Sequence, residues 1–180
     1  MATILLARMR FYNRRDLAPL GLLAVLNIVI FARLWTILTA DIPDMLVPWD
    51  FRSGFAPFLV LIGDSLKAGF LPLWNPYVAA GMPYYIYPSS QMFSPVTLIV
   101  GSTFGYSFRI AQVQLLLTVY FGAVGVYLLS KSLWNCRWAA FISAVAFQFS
   151  TAVLGSFEHL TILNCYAIAP WLFWSIRESS

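Results

Sequence analysis

Charge is the scarcest commodity in this 180-residue chain. Only 10% of its residues are Asp, Glu, Lys or Arg, against about 25% in a soluble domain. Mean hydropathy is +0.78 and 61% of residues are hydrophobic, so the composition reads as that of a membrane protein. There is one histidine, His159, which excludes a two-histidine metal or pigment site within one chain. The two cysteines, Cys136 and Cys165, form no C-x-x-C and no His–Cys cluster. A disulfide framework or structural zinc site is not expected, and both read as small apolar packing residues. No basic run interleaved with aromatics points to nucleic acid. No glycine loop cradles phosphate, no Ser/His/Asp arrangement stands out, and there is no internal repeat. Gly122 and Gly125 allow close helix approach without making the G-x-x-x-G pattern.

What is present is long apolar runs. Residues 17–39, 109–130, 137–156 and 160–176 are each long enough to cross, or nearly cross, a hydrocarbon layer of about 30 Å at about 1.5 Å per residue. The spacing predicts an all-α integral membrane protein with four transmembrane helices, since backbone in lipid needs partners within its own segment. "LTA-D" near residue 40 resembles a signal-peptide cleavage site, but Arg33 and Trp35 interrupt the run and its length favours an uncleaved helix. Asn27 and Arg33, polar within that first span, point to packing or a partner rather than chemistry.

Four spans place Arg8, Arg10, Arg14, Arg15, Lys131, Arg137 and Arg177 on one side, which makes that side cytoplasmic together with both termini. The long 40–108 loop, with Asp41, Asp44, Asp50 and Asp64, faces outward, as does the short turn carrying Glu158 and His159. Within the loop, Phe58, Leu59, Ile62, Leu66 and Phe70 make a helical stripe with Asp64 and Lys67 off it, predicting an amphipathic surface helix over 55–70. Residues 69–95 hold five prolines, which forbid regular helix. "NPY" and "GMP" are turn chemistry, and Trp74, Tyr77, Tyr84, Tyr85 and Tyr87 suit the headgroup region.

The order Asp50, Pro57, "LKAGFLPLWNPYVAAGMP", Gln91 and "SP" resembles the first outward loop of the YfhO-like bacterial membrane proteins, grouped with the GT-C glycosyltransferases. "FEHLTILNCYAIAPWLFWSIRE" is similar to that family's third-to-fourth-span region, with a His opening the span and a Pro-Trp pair near its end. The resemblance covers most of the chain. It carries the loop residues Pro57, Pro72, Trp74, Asn75, Pro76, Tyr77, Gly81, Pro83 and Gln91. Family members run several times longer, so the chain corresponds to the front part of such an enzyme, ending after the fourth span. The resemblance implies the bacterial inner membrane, a polyprenyl-phosphate-linked sugar donor and sugar transfer.

Such a transfer needs a base for the acceptor hydroxyl and a cation or divalent metal at the departing phosphate. Asp50 matches the family's acidic position as base or metal ligand. Asp44 and Asp41 are the alternatives, since two carboxylates near one site share a metal readily. Arg52, Lys67 and Arg109 are candidate phosphate contacts, and Glu158 and His159 candidate members of the same polar site. Each has a plainer reading: a solvated carboxylate, lysines and arginines snorkelling to headgroups, a polar turn between spans. Four spans supply little wall for a lipid-linked sugar. The sequence therefore favours a non-catalytic accessory or structural subunit of a larger membrane complex, contacting lipids and other integral membrane proteins. A GT-C glycosyltransferase, or a fragment of one, is the alternative.

Overall fold

The computed structural model describes residues 16–36, 47, 49–87 and 90–179. Asp41, Asp44, Arg8, Arg10, Arg14 and Arg15 lie outside the described residues. The chain is mainly helical: α1 (Leu17–Ile30), α2 (Ala32–Trp35), α3 (Ala56–Lys67), α4 (Pro95–Thr103), α5 (Phe108–Trp134), α6 (Arg137–Gln148), α7 (Thr151–Leu154) and α8 (Leu160–Ser179), with a two-stranded hairpin of β1 (Trp74–Asn75) and β2 (Met82–Pro83).

Among the described residues, two segments are long and apolar enough to cross a membrane, Phe108–Trp134 and Arg137–Leu154. The other two expected spans differ from uniform apolar rods. The first breaks at Phe31, where the β-branched run Ile28-Val29-Ile30 weakens the helix. The Phe31 amide still donates to Asn27 O at 3.0 Å, and its ring packs 5.7 Å from that of Phe149. The fourth, α8, has Pro170 inside it and Arg177 in its last turn. Arg137–Leu154, though long enough, is itself interrupted at Phe149–Ser150, where Ser150 Oγ accepts from the Val153 amide at 3.3 Å and so caps α7.

The chain divides into two compact units, Met1–Ala32 with Leu117–Leu154 and Asn164–Ser180, and Arg33–Leu116 with Gly155–Leu163. The first is built on small residues. Leu23, Ala123, Tyr127, Ala140 and Ala144 form its buried cluster, and alanine lets helix backbones approach. Gly122 and Gly125 work as their spacing suggests. A Cβ on Gly122 would meet the Phe147 ring at 2.7 Å and Ala167 Cα at 2.9 Å, and one on Gly125 the Trp171 indole at 2.6 Å. Trp171 stacks on Phe121, ring centroids 4.6 Å apart, and donates to the Phe121 carbonyl at 3.0 Å. Cys136 and Cys165, expected to pack inside, are exposed.

The second unit holds the amphipathic helix. Leu59 and Ile62 of the stripe are fully buried, but Phe70 is exposed, because Gly69 at φ +86° turns the chain off the helix axis first. Gly63 lies against the backbone of Gly105 and Tyr106, which brings α3 and α4 together. The α4 helix was not foreseen, although Pro95 occupies its first turn, a position proline favours.

The proline-rich stretch folds as a hairpin with Trp74 opposite Pro83 and Asn75 opposite Met82. Asn75 Oδ1 accepts from the Tyr77 amide at 2.9 Å, fixing the Asn-Pro-Tyr turn. Gly81, at φ +105°, leaves room that the Trp74 indole fills. Tyr77, Tyr85 and Trp74 are exposed, but Tyr84, expected at the headgroups with them, is fully buried with Ile62 and Met92. Its amide donates to Leu73 O at 2.8 Å, which turns the side chain inward onto Phe58, 5.4 Å between centroids.

Tyr106, between α4 and α5, donates to Gln114 Oε1 at 2.5 Å. Burial pushes its hydroxyl from 10.0 up to about 12. The folded form resists losing this proton while the unfolded chain loses it near pH 10. Stability is therefore intact below pH 10 and falls by about 2–3 kcal/mol as pH rises to about 12. A phenolate absorbance titration is expected to show late-ionising tyrosines, Tyr84 and Tyr106 among them, and Tyr106→Phe is expected to remove one of them. An unchanged titration in that variant would place the late proton elsewhere.

Candidate functional site

The carboxylate of Asp50 opens an unusual helix start. Trp49, just before it, takes a left-handed backbone at φ +58°, a conformation that costs a non-glycine residue on the order of 1 kcal/mol or more. Its carbonyl accepts from the amides of Arg52 and Ser53, both at 3.0 Å, and from Ser53 Oγ at 3.0 Å. Residues Phe51–Phe55 then make a π-helical turn, with the Ala56 amide reaching back to Phe51 O. Pro57 gives the reason. It has no N–H for the Ser53 carbonyl and its ring crowds that carbonyl, so the chain widens by one residue before α3 begins. The Asp50-to-Pro57 spacing noticed in the sequence thus sets the geometry of the turn that carries Asp50. Such widened turns often accompany functional sites. Phe51 and Phe55 face inward and are buried, which leaves Asp50 and Arg52 on the open side.

His159 meets this turn from the far end of the chain. It sits at the entrance to α8, its amide bonded to Ser156 O at 2.9 Å and its carbonyl accepting from Leu163 N at 3.1 Å. His159 Nδ1 lies 3.7 Å from Asp50 Oδ2, and the Phe55 ring meets the imidazole edge-on at 6.3 Å. Gln91, in a left-handed backbone at φ +56°, donates from Nε2 to Thr161 Oγ1 at 2.9 Å. The end of the proline-rich stretch is thereby tied to the turn that bears His159. The Asp50 side chain is 65% exposed and that of His159 43%, so the pair is open to a ligand and adds little to stability.

The other candidates separate. Glu158 adjoins His159 in the same turn, and Arg52 follows Asp50 in the π turn. Lys67 is at the opposite end of α3, about 25 Å along the helix, with its side chain over Gly105. Arg109 belongs to the first turn of α5. Trp74, Asn75, Pro76, Tyr77, Gly81 and Pro83 serve the hairpin, with Pro72 leading into it. Asp41 and Asp44 lie outside the described residues. Among the described residues no three His, Cys, Asp or Glu side chains cluster as a metal site. Asp50 and His159 alone are fewer donors than a divalent cation usually takes, so they do not by themselves fit a metal.

No family model, curated protein or solved structure matches the chain at a significant level. Its function has to be argued from its own residues. Among those, Phe55, Trp49 and Thr161 were not legible as members of the site. Only the aromatic run around Asp50 hinted at a packed base beneath it.

Proposed function

We propose that the chain is a bacterial inner-membrane module of four membrane-embedded helical segments, and that Asp50, oriented by His159, is the base of a glycosyl-transfer site using a polyprenyl-phosphate-linked sugar. The carrying observation is that Asp50, which matches the acidic position of the resembled family, stands 3.7 Å from the chain's one imidazole. Left-handed Trp49 and Gln91 flank the two arms, as strained backbone often does at a site.

The chemistry asked of the pair is simple. The Asp50 carboxylate takes the proton of the acceptor hydroxyl as that oxygen bonds to the sugar carbon. The bond from that carbon to the phosphate oxygen breaks, and the phosphate leaves with the electron pair. His159, facing Oδ2, orients the carboxylate, and its contact tightens when substrate excludes water. Arg52, two residues along, is placed to meet phosphate.

The test is turnover of a radiolabelled polyprenyl-phosphate hexose by membranes containing the protein in its natural setting. Asp50→Asn is expected to lower sugar transfer by about 10²- to 10⁴-fold, and His159→Gln by a smaller factor. Transfer unchanged in Asp50→Asn would remove the catalytic role.

The openness of the pair favours a second reading, in which the chain is an accessory subunit whose partner covers Asp50 and His159. It predicts stoichiometric co-purification with other membrane proteins in mild detergent, weakened by Asp50→Asn.

A further inference from the structure

A separate polar cluster gathers around the hydroxyl of Tyr127 in the first unit. Tyr127 donates to Asp16 Oδ1 at 2.8 Å, and Lys131 Nζ lies 2.5 Å from Asp16 Oδ2. The Asp16 side chain is 2% exposed. The Arg137 guanidinium is close enough to act electrostatically on the same hydroxyl. Lys131 meets the carboxylate and Arg137 lies near the hydroxyl, so the described charges here, two positive and one negative, leave a positive surplus.

Beside the cluster is a cleft of about 220 Å³, lined by Ala18, Pro19 and Leu22 of α1 and by Arg137, Trp138 and Phe141 of α6. Its walls are hydrocarbon and aromatic except for the one guanidinium. The volume is below the roughly 300–1,000 Å³ of small-molecule pockets, too small for a lipid-linked sugar but suited to part of an acyl chain. Trp138 is 74% exposed, an indole placed as at a membrane–water interface.

We propose that this cleft binds an anionic phospholipid, its acyl chain against Leu22 and Phe141 and its phosphate on Arg137. The proposal rests on the membrane-embedded reading given above, not on sugar transfer. Apolar walls alone would take any lipid. The positive surplus selects a headgroup with net negative charge, as basic pockets between membrane helices do. Asp16, by occupying Lys131, limits the attraction.

The full chain is reconstituted in phosphatidylcholine vesicles doped with brominated phosphatidylglycerol or, separately, brominated phosphatidylcholine. The Trp138 contribution to quenching is isolated by difference from Trp138→Phe. Phosphatidylglycerol is expected to quench with about five-fold higher apparent affinity for each cation engaged. Arg137→Gln should lower the preference about five-fold, and Arg137→Lys should keep most of it. Asp16→Asn, which frees Lys131, should raise it. Equal quenching by both lipids in the unmodified protein, or a preference untouched by Arg137→Gln, would overturn the site while leaving the membrane reading intact. Quenching by neither lipid would overturn both. Should Arg137→Gln fail to fold, judged by helical circular dichroism, the Arg137→Lys and Asp16→Asn shifts decide: a preference unmoved by Asp16→Asn counts against the site.

Discussion

Replacing Gln112 by leucine is expected to cost about 2–4 kcal/mol, the largest single-residue stability loss we anticipate. Gln112 is fully buried. Its Oε1 accepts from the Val47 amide at 2.9 Å, and its Nε2 donates to the Leu34 carbonyl at 2.7 Å. One side chain thus satisfies backbone groups on both sides of residues 37–46. Leucine has nearly the same volume, so the loss would come from stranded polar groups rather than from a void. The Val47 amide is buried and would account for most of it, and the half-buried Leu34 carbonyl for the rest. Gln112→Glu keeps the acceptor for Val47 but sets a carboxylate oxygen against the Leu34 carbonyl, so it should cost at least as much as leucine unless the carboxyl is protonated. Thermal unfolding in mild detergent, followed by circular dichroism, makes the comparison. A leucine variant as stable as the parent would mean that water or another side chain already serves these groups.

Gly63→Ala is expected to cost about 1–3 kcal/mol. A Cβ at Gly63 would stand 2.5 Å from the Tyr106 amide nitrogen and 3.2 Å from the Gly105 carbonyl carbon. Those are backbone atoms and cannot rotate aside, so α3 has to move from its neighbours. Gly54 has open space around its Cβ position, and Gly54→Ala is the matched control with little change expected. Equal melting temperatures for the two variants would show that the contact at Gly63 is slack.

Legibility in the sequence followed the range of the interaction. The stripe through Leu59 and Ile62 announced α3 because burial on one helical face repeats locally, and Gly122 and Gly125 announced close approach because nothing but a missing side chain permits it. Phe70 and Tyr84 went the other way. One residue of left-handed backbone at Gly69 ended the stripe early, and one amide bond to Leu73 turned a supposed interfacial tyrosine into core. The break at Ser150 was hidden inside continuous apolarity, where a serine looks like a tolerated guest until its hydroxyl starts a new helix. Asp50 could be picked from the chain only through its resemblance to a family motif that includes Pro57, and its partner could not, because the meeting with His159 depends on how α8 enters the unit. The Asp16–Tyr127–Lys131 cluster was missed for a related reason. Asp16 is one acid among several arginines, and its value lies wholly in what α5 brings beside it.

The hairpin from Trp74 to Pro83 has a kinetic corollary. Its turn is set by Asn75, its waist filled by an indole over Gly81, and its exit anchored at Leu73. Whatever settles on the exposed rings of Tyr77 and Tyr85 therefore meets a surface already frozen into shape. Association there should not wait on loop closure, and loosening the surface by Gly81→Ala, whose new methyl would displace the Trp74 ring, should show up as slower capture of a visitor rather than as lost helix.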